Sequence, residues 1–376
     1  MAPSRDAGAV WRLTALAKRE RSGSGDAGRG PEGGAPMRIT ALTCVKNEGP
    51  FLLEWIAFNR VIGVSDFLFY SNDCTDATDL LLDRLQDHGL VRHLPNPAEG
   101  RNYQMEALKD AMAQDVVRRA DWLWIADVDE FLNIHAGDGT IPELIAACGN
   151  PACISVTFQF FANCDVESYE DRPVITQFPR SHNPDIWTDQ TAQEVKSLIR
   201  RDFPVQYYGA HRPFFRPRLA PGKRPAWTDA SGRPVPESFL LASNKRRIRK
   251  FPAQGARKYA TLNHYALRSL DSYLVKNDRG DVNREHRNFD TAYWCERNDD
   301  SHADTSILRY LPRLEAEIAR LKALPDIADL HALAVARHRE TLARLMADPG
   351  YVALRHELQA APRLSPAELA VLKELA

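Results

Sequence analysis

Apolar and polar residues alternate in blocks between residues 37 and 126. Short apolar runs predict strands, and longer runs with apolar residues every three or four positions predict helices. The predicted strands are residues 38–44, 66–70, 90–94 and 122–126. The predicted helices are residues 50–62, 76–88 and 102–119, and Thr75 or Asp76 is the expected N-cap of the second helix.

This order of elements predicts an α/β fold. Strands that alternate with helices build a parallel sheet with helices on both faces. Ligands of such sheets bind beyond the carboxyl ends of the strands. Polar motifs that directly follow a predicted strand are therefore the first candidates for binding residues.

Residues 121–131 carry the strongest chemical signal. An apolar run ends there in Asp127, Asp129 and Glu130. Carboxylates at the end of a buried strand cost desolvation energy unless a positive charge joins them. Because Mg²⁺ and Mn²⁺ prefer carboxylate and phosphate oxygens, we expect the cluster to hold a divalent cation against a diphosphate. The alternative is that Asp127 and Asp129 cap a turn or lie in a solvated loop.

The pattern is less regular beyond residue 150. Residues 154–161 and 259–265 predict strands, whereas the Pro-rich residues 165–190 and 212–240 predict loops. From Ser306 onward the pattern is helical. Its apolar residues recur in steps of four and three at Ile307, Leu311, Leu314, Ile318 and Leu321. This seam is too short for a coiled coil, so we expect it to pack against the domain or a partner subunit.

Composition narrows the class of protein. Lys plus Arg (49) nearly balance Asp plus Glu (50), so nothing points to nucleic acid. The sequence has no apolar stretch of the roughly 20 residues that span a bilayer, and its N-terminus lacks the apolar core of a secretion signal. The six cysteines form no Cys-x-x-Cys pair. We therefore expect a reduced, cytoplasmic protein without a zinc site or a disulfide framework.

Three regions are expected along the chain. Residues 1–36, rich in Gly, Ala, Arg and Ser, bury too little to offset their ordering entropy, so we predict that they are disordered. Residues 37–290 form the catalytic domain, and residues 291–376 form a helical region. Met37 directly precedes the first predicted strand, so we hypothesise that the native protein begins there. A native peptide from residues 1–36 would refute this hypothesis.

Three motifs follow the predicted strands in order. Residues 46–48 (Lys-Asn-Glu) follow the first strand, residues 71–76 (Ser-Asn-Asp-Cys-Thr-Asp) the second and residues 127–131 (Asp-Val-Asp-Glu-Phe) the fourth. Together they resemble the nucleotide-sugar glycosyltransferases of family 2 and the related family 92, over about residues 37–280. The resemblance implies the GT-A fold, a Rossmann-like open and mostly parallel sheet. It also implies Mn²⁺- or Mg²⁺-dependent transfer of a sugar from a nucleotide diphosphate, with a UDP-sugar favoured.

The resemblance implies roles for the acids and for the first motif. Asp127 lies near the ribose and Asp129 binds the metal, and both are candidate metal ligands. Asn47 and Glu48 face the nucleotide. Glu48 accepts a hydrogen bond from the base or a ribose hydroxyl, or alternatively is a first-turn acid favoured by the helix dipole.

The second and third helices begin with further donor-binding candidates. Family 2 usually has Asp-Asp-Gly-Ser-x-Asp after its second strand, and here Asn72 replaces the middle acid. An amide both donates and accepts, so uracil is expected and guanine stays open. Asp76 keeps the final acid. Gln104 opens the third helix, where the family often reads the base.

Two downstream segments complete the resemblance. Lys196 lies in residues 193–200, similar to a Lys-Ser-x-x-Arg segment of the family, and lines the donor or acceptor site unless this is a solvated strand. His264 follows Leu-Asn and precedes Tyr, and Arg268-Ser269, Lys276 and Arg279-Gly280 come after it. By resemblance His264 is a further metal ligand or a donor to the β-phosphate. Lys276 and Arg279 then neutralise the departing diphosphate.

The enzymes resembled mostly invert the anomeric carbon, which places a general base opposite the diphosphate. We favour Asp165 as this base. The other acids that stay open are Glu167, Asp185, Asp189 and Glu194.

Partners are less constrained. We expect a carbohydrate or lipid-linked acceptor, by resemblance one from bacterial surface polysaccharide synthesis, and a homo-oligomer through the C-terminal helices is open. Residues 245–250 hold five cations in six positions, so they form an exposed charged face or a peripheral contact with an anionic acceptor or the inner membrane. A nucleotidyltransferase is one alternative, although residues 46–50 match its Gly-rich signature poorly. A non-catalytic carbohydrate- or partner-binding protein on a GT-A scaffold is the other.

Overall fold

Strands and helices alternate in the first part of the fold. The computed structural model describes residues 36–100, 102–184, 194–215, 219, 221–242, 251–280, 289–362 and 374–375. Its first elements are β1 (Ile39–Val45), α1 (Gly49–Val61), β2 (Asp66–Ser71), α2 (Thr78–Asp87), β3 (Arg92–Pro95), α3 (Tyr103–Ala111), α4 (Asp115–Arg118) and β4 (Trp122–Ile125).

Shorter elements follow, and then helices. The middle elements are β5 (Glu130–Ile134), α5 (Ile141–Ala147), β6 (Cys153–Phe160), α6 (Val174–Gln177), β7 (Arg180–Ser181), β8 (Val195–Arg200), β9 (Val205–Tyr208), β10 (Pro213–Phe215), β11 (Trp227–Asp229), α7 (Glu237–Leu240) and β12 (Ala260–His264). The last elements are α8 (Leu270–Arg279), α9 (Thr291–Arg297), β13 (His302–Ala303), α10 (Leu311–Lys322), α11 (Ile327–Met346) and α12 (Pro349–Ala360). Among the described residues, Pro221–Lys223 and Ser306–Tyr310 form 3₁₀ turns.

The central sheet is mostly parallel. In the described residues it has nine strands in the order β3-β2-β1-β4-β8-β6-β12-β5, and β11 also pairs with β6. Only β8 and β5 run antiparallel to their neighbours. The carboxyl ends of β1, β2, β4, β6 and β12 therefore meet the amino ends of β5 and β8 at one edge of the sheet. Every candidate motif lies at this edge.

Helices cover both faces of the sheet, which confirms the predicted fold class. In β1, Ile39 and Ala41 face the core that contains α1 and α2. Leu42 faces the opposite core, which contains Leu108 of α3 and Val117 of α4. Because both faces are buried, the strand is a nearly continuous apolar run.

Helix α1 is buried on all sides over Gly49–Asn59, beyond the single apolar face that its sequence indicates. The cause is tertiary, since α10 and α11 pack on its outer side. A Cβ atom at Gly49 would lie 2.6 Å from the Cβ of Ala334 in α11. Glycine is therefore required where the two helices approach.

The C-terminal helices share the main core. The predicted helical character after Ser306 is confirmed, although the segment begins with a 3₁₀ turn. Ile307, Leu314 and Leu321 of the predicted seam are buried in the core that holds α1, so the seam packs within the chain. Residues Met37–Ala376 form one compact unit. The boundary at residue 290 and the homo-oligomer stay predictions.

The single helix predicted over residues 102–119 is wrong. Residues 112–114 separate α3 from α4. Nε of Arg118 donates to the Ala113 carbonyl oxygen at 3.0 Å, and Nε2 of Gln114 donates to Oδ2 of Asp110 at 2.8 Å. Side chains thus satisfy groups at the break, which allows the chain to turn without orphaned polar atoms.

The loops predicted over residues 165–190 and 212–240 are also partly wrong. They contain α6, β7, β10, β11 and α7, which are too short to show a period in sequence. Residues 1–35, 185–193 and 243–250 lie outside the described residues, and with them the predicted disorder, Asp185, Asp189 and the basic run. All six cysteines are free thiols. No helix in the described ranges combines the length and apolarity needed to cross a membrane.

Candidate active site

The acids of the strongest motif lie in a tight turn between β4 and β5. The backbone N–H of Asp127 donates to Oε2 of Glu130 at 2.9 Å, and the N–H of Glu130 donates to the Asp127 carbonyl oxygen at 3.0 Å. Glu130 begins β5 and pairs in antiparallel register with His264 of β12. Strand β5 was not predicted, and its pairing brings His264 beside the acids.

Asp127 belongs to a first ion cluster. Nζ of Lys196 lies 2.9 Å from Oδ2 of Asp127 and 3.3 Å from Oε2 of Glu130. Nε2 of Gln104 donates to Oδ1 of Asp127 at 3.3 Å. Lys196 is buried in the centre of the sheet, so the solvated-strand alternative is wrong.

Burial sets the protonation of this cluster. It raises the pKa of Glu130 well above its ordinary value, and the attraction of Lys196 does not offset it. Burial opposes the charge of Lys196 as well, but Asp127 and Glu130 outweigh it and the pKa of Lys196 is raised. The cluster therefore contains a buried ammonium ion and, in Glu130, a carboxyl group whose ionisation is opposed by burial.

Asp129 belongs to a second cluster. Nζ of Lys276 lies 2.8 Å from its Oδ2, and Nε2 of His264 lies 3.5 Å from its Oδ1. Burial raises the pKa of Asp129, but Lys276 and His264 outweigh this effect and hold the pKa well below its ordinary value. Burial also lowers the pKa of His264, against the pull of Asp129.

Glu48 is held by two guanidinium groups. Nη1 of Arg268 lies 2.8 Å from Oε2 of Glu48, and Nη1 of Arg279 lies 2.5 Å from Oε1. The guanidinium of Arg268 also stacks 3.5 Å from the ring centroid of Phe51. Burial works against the charge of Glu48, yet the two arginines lower its pKa. Both oxygens of the predicted nucleotide acceptor are thus engaged.

Arg268 is a residue that the sequence reasoning missed. It lies in the Arg-Ser pair after His264, to which no role was assigned. Its Nε and Nη2 are buried and have no hydrogen-bond partner among the described residues. Its position between His264 and Lys276, two candidate functional residues, was a sequence signal for a role. Only the fold shows that Arg268 contacts Glu48.

The first two motifs are joined to each other by side chains. Asn47 donates from Nδ2 to Oγ1 of Thr75 at 3.0 Å and accepts from the Thr75 N–H at 2.7 Å. Oδ2 of Asp76 accepts from the Gly49 N–H at 3.0 Å. Asn47 and Asp76 therefore position the two loops, and their side chains are largely engaged in doing so.

The predicted N-cap of α2 is wrong. The N-cap is Ala77, with φ +71°, and the helix begins at Thr78. Asp76 still serves the helix start, since its Oδ1 accepts from the Thr78 N–H at 2.9 Å. Its other carboxylate oxygen accepts from the Gly49 N–H, so one side chain serves the starts of both α1 and α2. Burial raises its pKa.

Asn72 and Asp165 lie at the margins of these clusters. Asn72 is buried, and in the described part of the chain its Oδ1 has no hydrogen-bond partner. Asp165 is exposed and has φ +62°, a left-handed backbone. Glu167 accepts from Arg355 at 3.3 Å and from Gln359 at 2.9 Å, both of α12. The role of Asp165 as the base stays a prediction.

Three ligand atoms are close enough to share a cation. Oxygens of Asp129 and Glu130 and a ring nitrogen of His264 all lie within 4.8 Å of one another. Two carboxylates and an imidazole suit Mn²⁺. The set differs from the expected Asp127, Asp129 and His264 in that it contains Glu130 and not Asp127.

Comparison with known proteins finds a family model that resembles part of the chain. The model of glycosyltransferase family 92 matches residues 41–216, just under half of the chain. A glycosyltransferase family 92 protein of Ricinus communis is 27% identical over 113 residues, which are 29% of this chain and 19% of that protein. The chain thus spans about a fifth of that relative. Both matches support the resemblance to family 92, and the resemblance to family 2 stays a prediction.

Similar solved structures are distant. Residues 1–349 of TarS from S. aureus align with a TM-score of 0.31 and 8% identity, covering 81% of each chain. The complex of the same protein with UDP gives 0.31 and 10%, covering 83% of this chain and 92% of that one. HddC from Yersinia pseudotuberculosis gives 0.29 and 9%, covering 50% and 88%.

Proposed function

We propose that this protein is a glycosyltransferase that moves a sugar from a nucleotide diphosphate, with a UDP-sugar favoured, to a hydroxyl group of a carbohydrate or lipid-linked acceptor. The observation that carries the proposal is the Asp129, Glu130 and His264 group at the carboxyl edge of the sheet. The match of residues 41–216 to glycosyltransferase family 92 supports it. Binding at this edge is the general behaviour of open α/β sheets.

The clusters divide the work of the reaction. Asp129, Glu130 and His264 would hold Mn²⁺ or Mg²⁺, and a bound cation would supply positive charge to the leaving diphosphate. Lys276 and Arg279, on one helix three residues apart, add positive charge near the same leaving group. Such charges act strongly here because the groups are largely shielded from water.

The nucleoside would bind near Asn72 and Asp127, at the carboxyl ends of β2 and β4. The unpaired Oδ1 of Asn72 accepts an N–H group, which uracil and guanine both offer. Gln104 and Lys196 reach Asp127 and orient its carboxylate toward the ribose. Asn47, Glu48 and Asp76 maintain the loops that carry these groups.

Asp165 follows the end of β6 and is accessible to an acceptor. A carboxylate there takes the proton of the incoming hydroxyl group from the face opposite the diphosphate, as inversion requires. The sugar would then lie between Asp165 and the cluster of Asp129.

The first experiment measures thermal unfolding of the full chain with UDP, with Mn²⁺ and with both together. A ligand that binds only the folded state raises the melting temperature, and we expect the largest rise with both. Asp129→Asn should abolish that additional rise, whereas Asp329→Asn, an exposed acid of α11, should not change it. No shift with any nucleoside diphosphate would contradict the proposal.

The second experiment screens nucleotide sugars for release of the nucleoside diphosphate, with and without Mn²⁺. Release that depends on an added acceptor supports transfer. Release of pyrophosphate from a nucleoside triphosphate would instead indicate a nucleotidyltransferase. Sugar binding without turnover of any donor would indicate a non-catalytic binding protein.

A further inference from the structure

Both carboxylate oxygens of Asp129 already have partners. Oδ2 accepts from Nζ of Lys276 at 2.8 Å, and Oδ1 faces Nε2 of His264 at 3.5 Å. The same ammonium donates to the Ala266 carbonyl oxygen at 2.8 Å. Lys276 therefore occupies the carboxylate that would bind the cation.

A divalent cation and this ammonium compete for one carboxylate. Asp129 lies in the group whose ligand atoms are within 4.8 Å of one another, so a cation there would be close to Nζ of Lys276. Like charges at such a distance repel strongly where water is largely excluded. Lys276 must leave Asp129, or the cation must bind weakly.

The acids of the neighbouring clusters are already paired with other cations, so they do not offer Lys276 a new partner. Glu48 has two guanidinium groups, and Asp127 and Glu130 share Lys196. An ammonium ion that left Asp129 without a new partner would be a largely buried, unpaired charge, since its side chain is only 12% exposed. An anion that enters with a ligand would remove this penalty.

The position of Lys276 suits such an exchange. It lies in the last turn of α8, three residues before Arg279, so both cations are on one face of the helix. The lysine stem is flexible and can turn from Asp129 toward an anion between the two side chains.

We infer that Lys276 is an internal counter-ion of Asp129, which a diphosphate draws away so that cation binding and diphosphate binding become coupled. The inference rests on the proposed function. Lys276 is a positioning residue in this role, because it acts on the cation through Asp129. The cation alone binds weakly, and a nucleoside diphosphate strengthens its binding.

The test is a titration of the full chain with Mn²⁺, in which electron paramagnetic resonance measures free Mn²⁺ with and without UDP. In the wild type we expect UDP to tighten Mn²⁺ binding by about tenfold or more, within the usual range of coupling between sites. In Lys276→Met, Mn²⁺ alone should bind about tenfold more tightly than in the wild type, and the effect of UDP should shrink by a similar factor.

Three further variants keep the result interpretable. Lys276→Gln repeats the neutralisation with a polar side chain if Lys276→Met does not fold. Lys276→Arg keeps the charge and should bind Mn²⁺ alone as weakly as the wild type. Lys109→Met removes a surface lysine that pairs with Glu106 and should change nothing.

Unchanged or weaker binding of Mn²⁺ alone in both neutral variants would overturn the inference. The proposed function would survive that result if the wild type still bound Mn²⁺ and UDP together. Absence of binding of either ligand to the wild type would overturn both. Circular dichroism of each variant establishes that a change in affinity is not a loss of fold.

Discussion

Two carboxylates, two residues apart, are neutralised by lysines from very different parts of the fold. Asp127 pairs with Lys196 on the central strand β8, whose side chain is only 1% exposed. Asp129 pairs with Lys276 near the end of helix α8, whose side chain is 12% exposed. A strand in the middle of a sheet fixes its side chain between neighbours, whereas the end of a helix leaves room for movement. In our proposal the Lys196–Asp127 pair is structural and the Lys276–Asp129 pair is exchangeable.

The exposed fractions of the two carboxylates differ in the opposite sense from those of the two lysines. Asp127 is 36% exposed and Asp129 is 10% exposed. The more accessible acid is paired with the more deeply buried lysine, and the more buried acid is paired with the more exposed lysine. This arrangement supports our proposal that Asp127 contacts an entering ligand and that Asp129 binds the cation.

The largest effect is expected from loss of the ion pair between Lys196 and Asp127. Lys196→Met leaves Asp127 and Glu130 without their buried cation, and loss of one partner of a buried ion pair costs about 3–5 kcal/mol. Urea denaturation of the metal-free protein measures the free energy of unfolding. Glu130→Gln added to Lys196→Met should recover part of the loss.

Lys109→Met is the control for this change, because its ion pair is on the surface and should matter by about 0.5 kcal/mol or less. A cost for Lys196→Met as small as that of the control would show that Lys196 is not structural.

The next prediction compares the two acids in activity. Asp129→Asn should lower kcat/KM for donor consumption by roughly 10²–10³-fold, the scale for loss of one preorganised charged group. Asp127→Asn should cost about tenfold, because Asp127 is not among the three residues that we propose as cation ligands. Steady-state release of the nucleoside diphosphate measures both. A larger loss in Asp127→Asn would reverse the assignment.

A smaller effect concerns pH. Burial raises the pKa of Glu130, so this group contributes stability below its unfolded pKa and loses it as pH rises through the folded pKa. Glu130→Gln removes this dependence. The free energy of unfolding of the variant relative to the wild type should therefore increase as pH rises from about 4.5, the ordinary value for glutamate. Urea denaturation of the metal-free proteins measures both free energies of unfolding. A difference between variant and wild type that does not change with pH would contradict this expectation.

The smallest effect is expected from loss of the hydrogen bond between Gln104 and Asp127. Gln104→Ala removes the 3.3 Å hydrogen bond to Asp127, and such a bond contributes about 0.5–1.5 kcal/mol. Affinity for UDP in the presence of Mn²⁺ should fall by about tenfold or less, as measured by calorimetry. Gln114→Ala, which loses a bond to Asp110 away from the cluster, should leave that affinity unchanged.

Local signals were sufficient for the first part of the fold. The strands and helices between residues 38 and 126 have regular periods, and the motifs after them follow from the parallel order. The error over residues 102–119 arose because the break between α3 and α4 is stabilised by Arg118 and Gln114, whose hydrogen bonds leave no trace in the apolar pattern.

The candidate site was predictable as a set of residues but not as a set of pairs. Asp129, His264 and Lys276 were each expected near the cation and diphosphate, and the structure brings them together. The partnership of Glu48 with Arg268 joins residues 220 positions apart. No local period encodes such a contact, because it depends on how β12 and α8 return to the sheet edge.

By itself, the sequence determined the α/β class, the edge at which the motifs gather and the chemical types that meet there, because periodicity and strand ends are local properties. Only the tertiary structure decided which cation neutralises which acid, that Asp129, Glu130 and His264 come close enough to share a cation and that α1 is buried on all sides. Those outcomes follow from the antiparallel insertion of β5 and β8 and from the packing of α10 and α11. Each of these places residues far apart in the chain within a few ångströms.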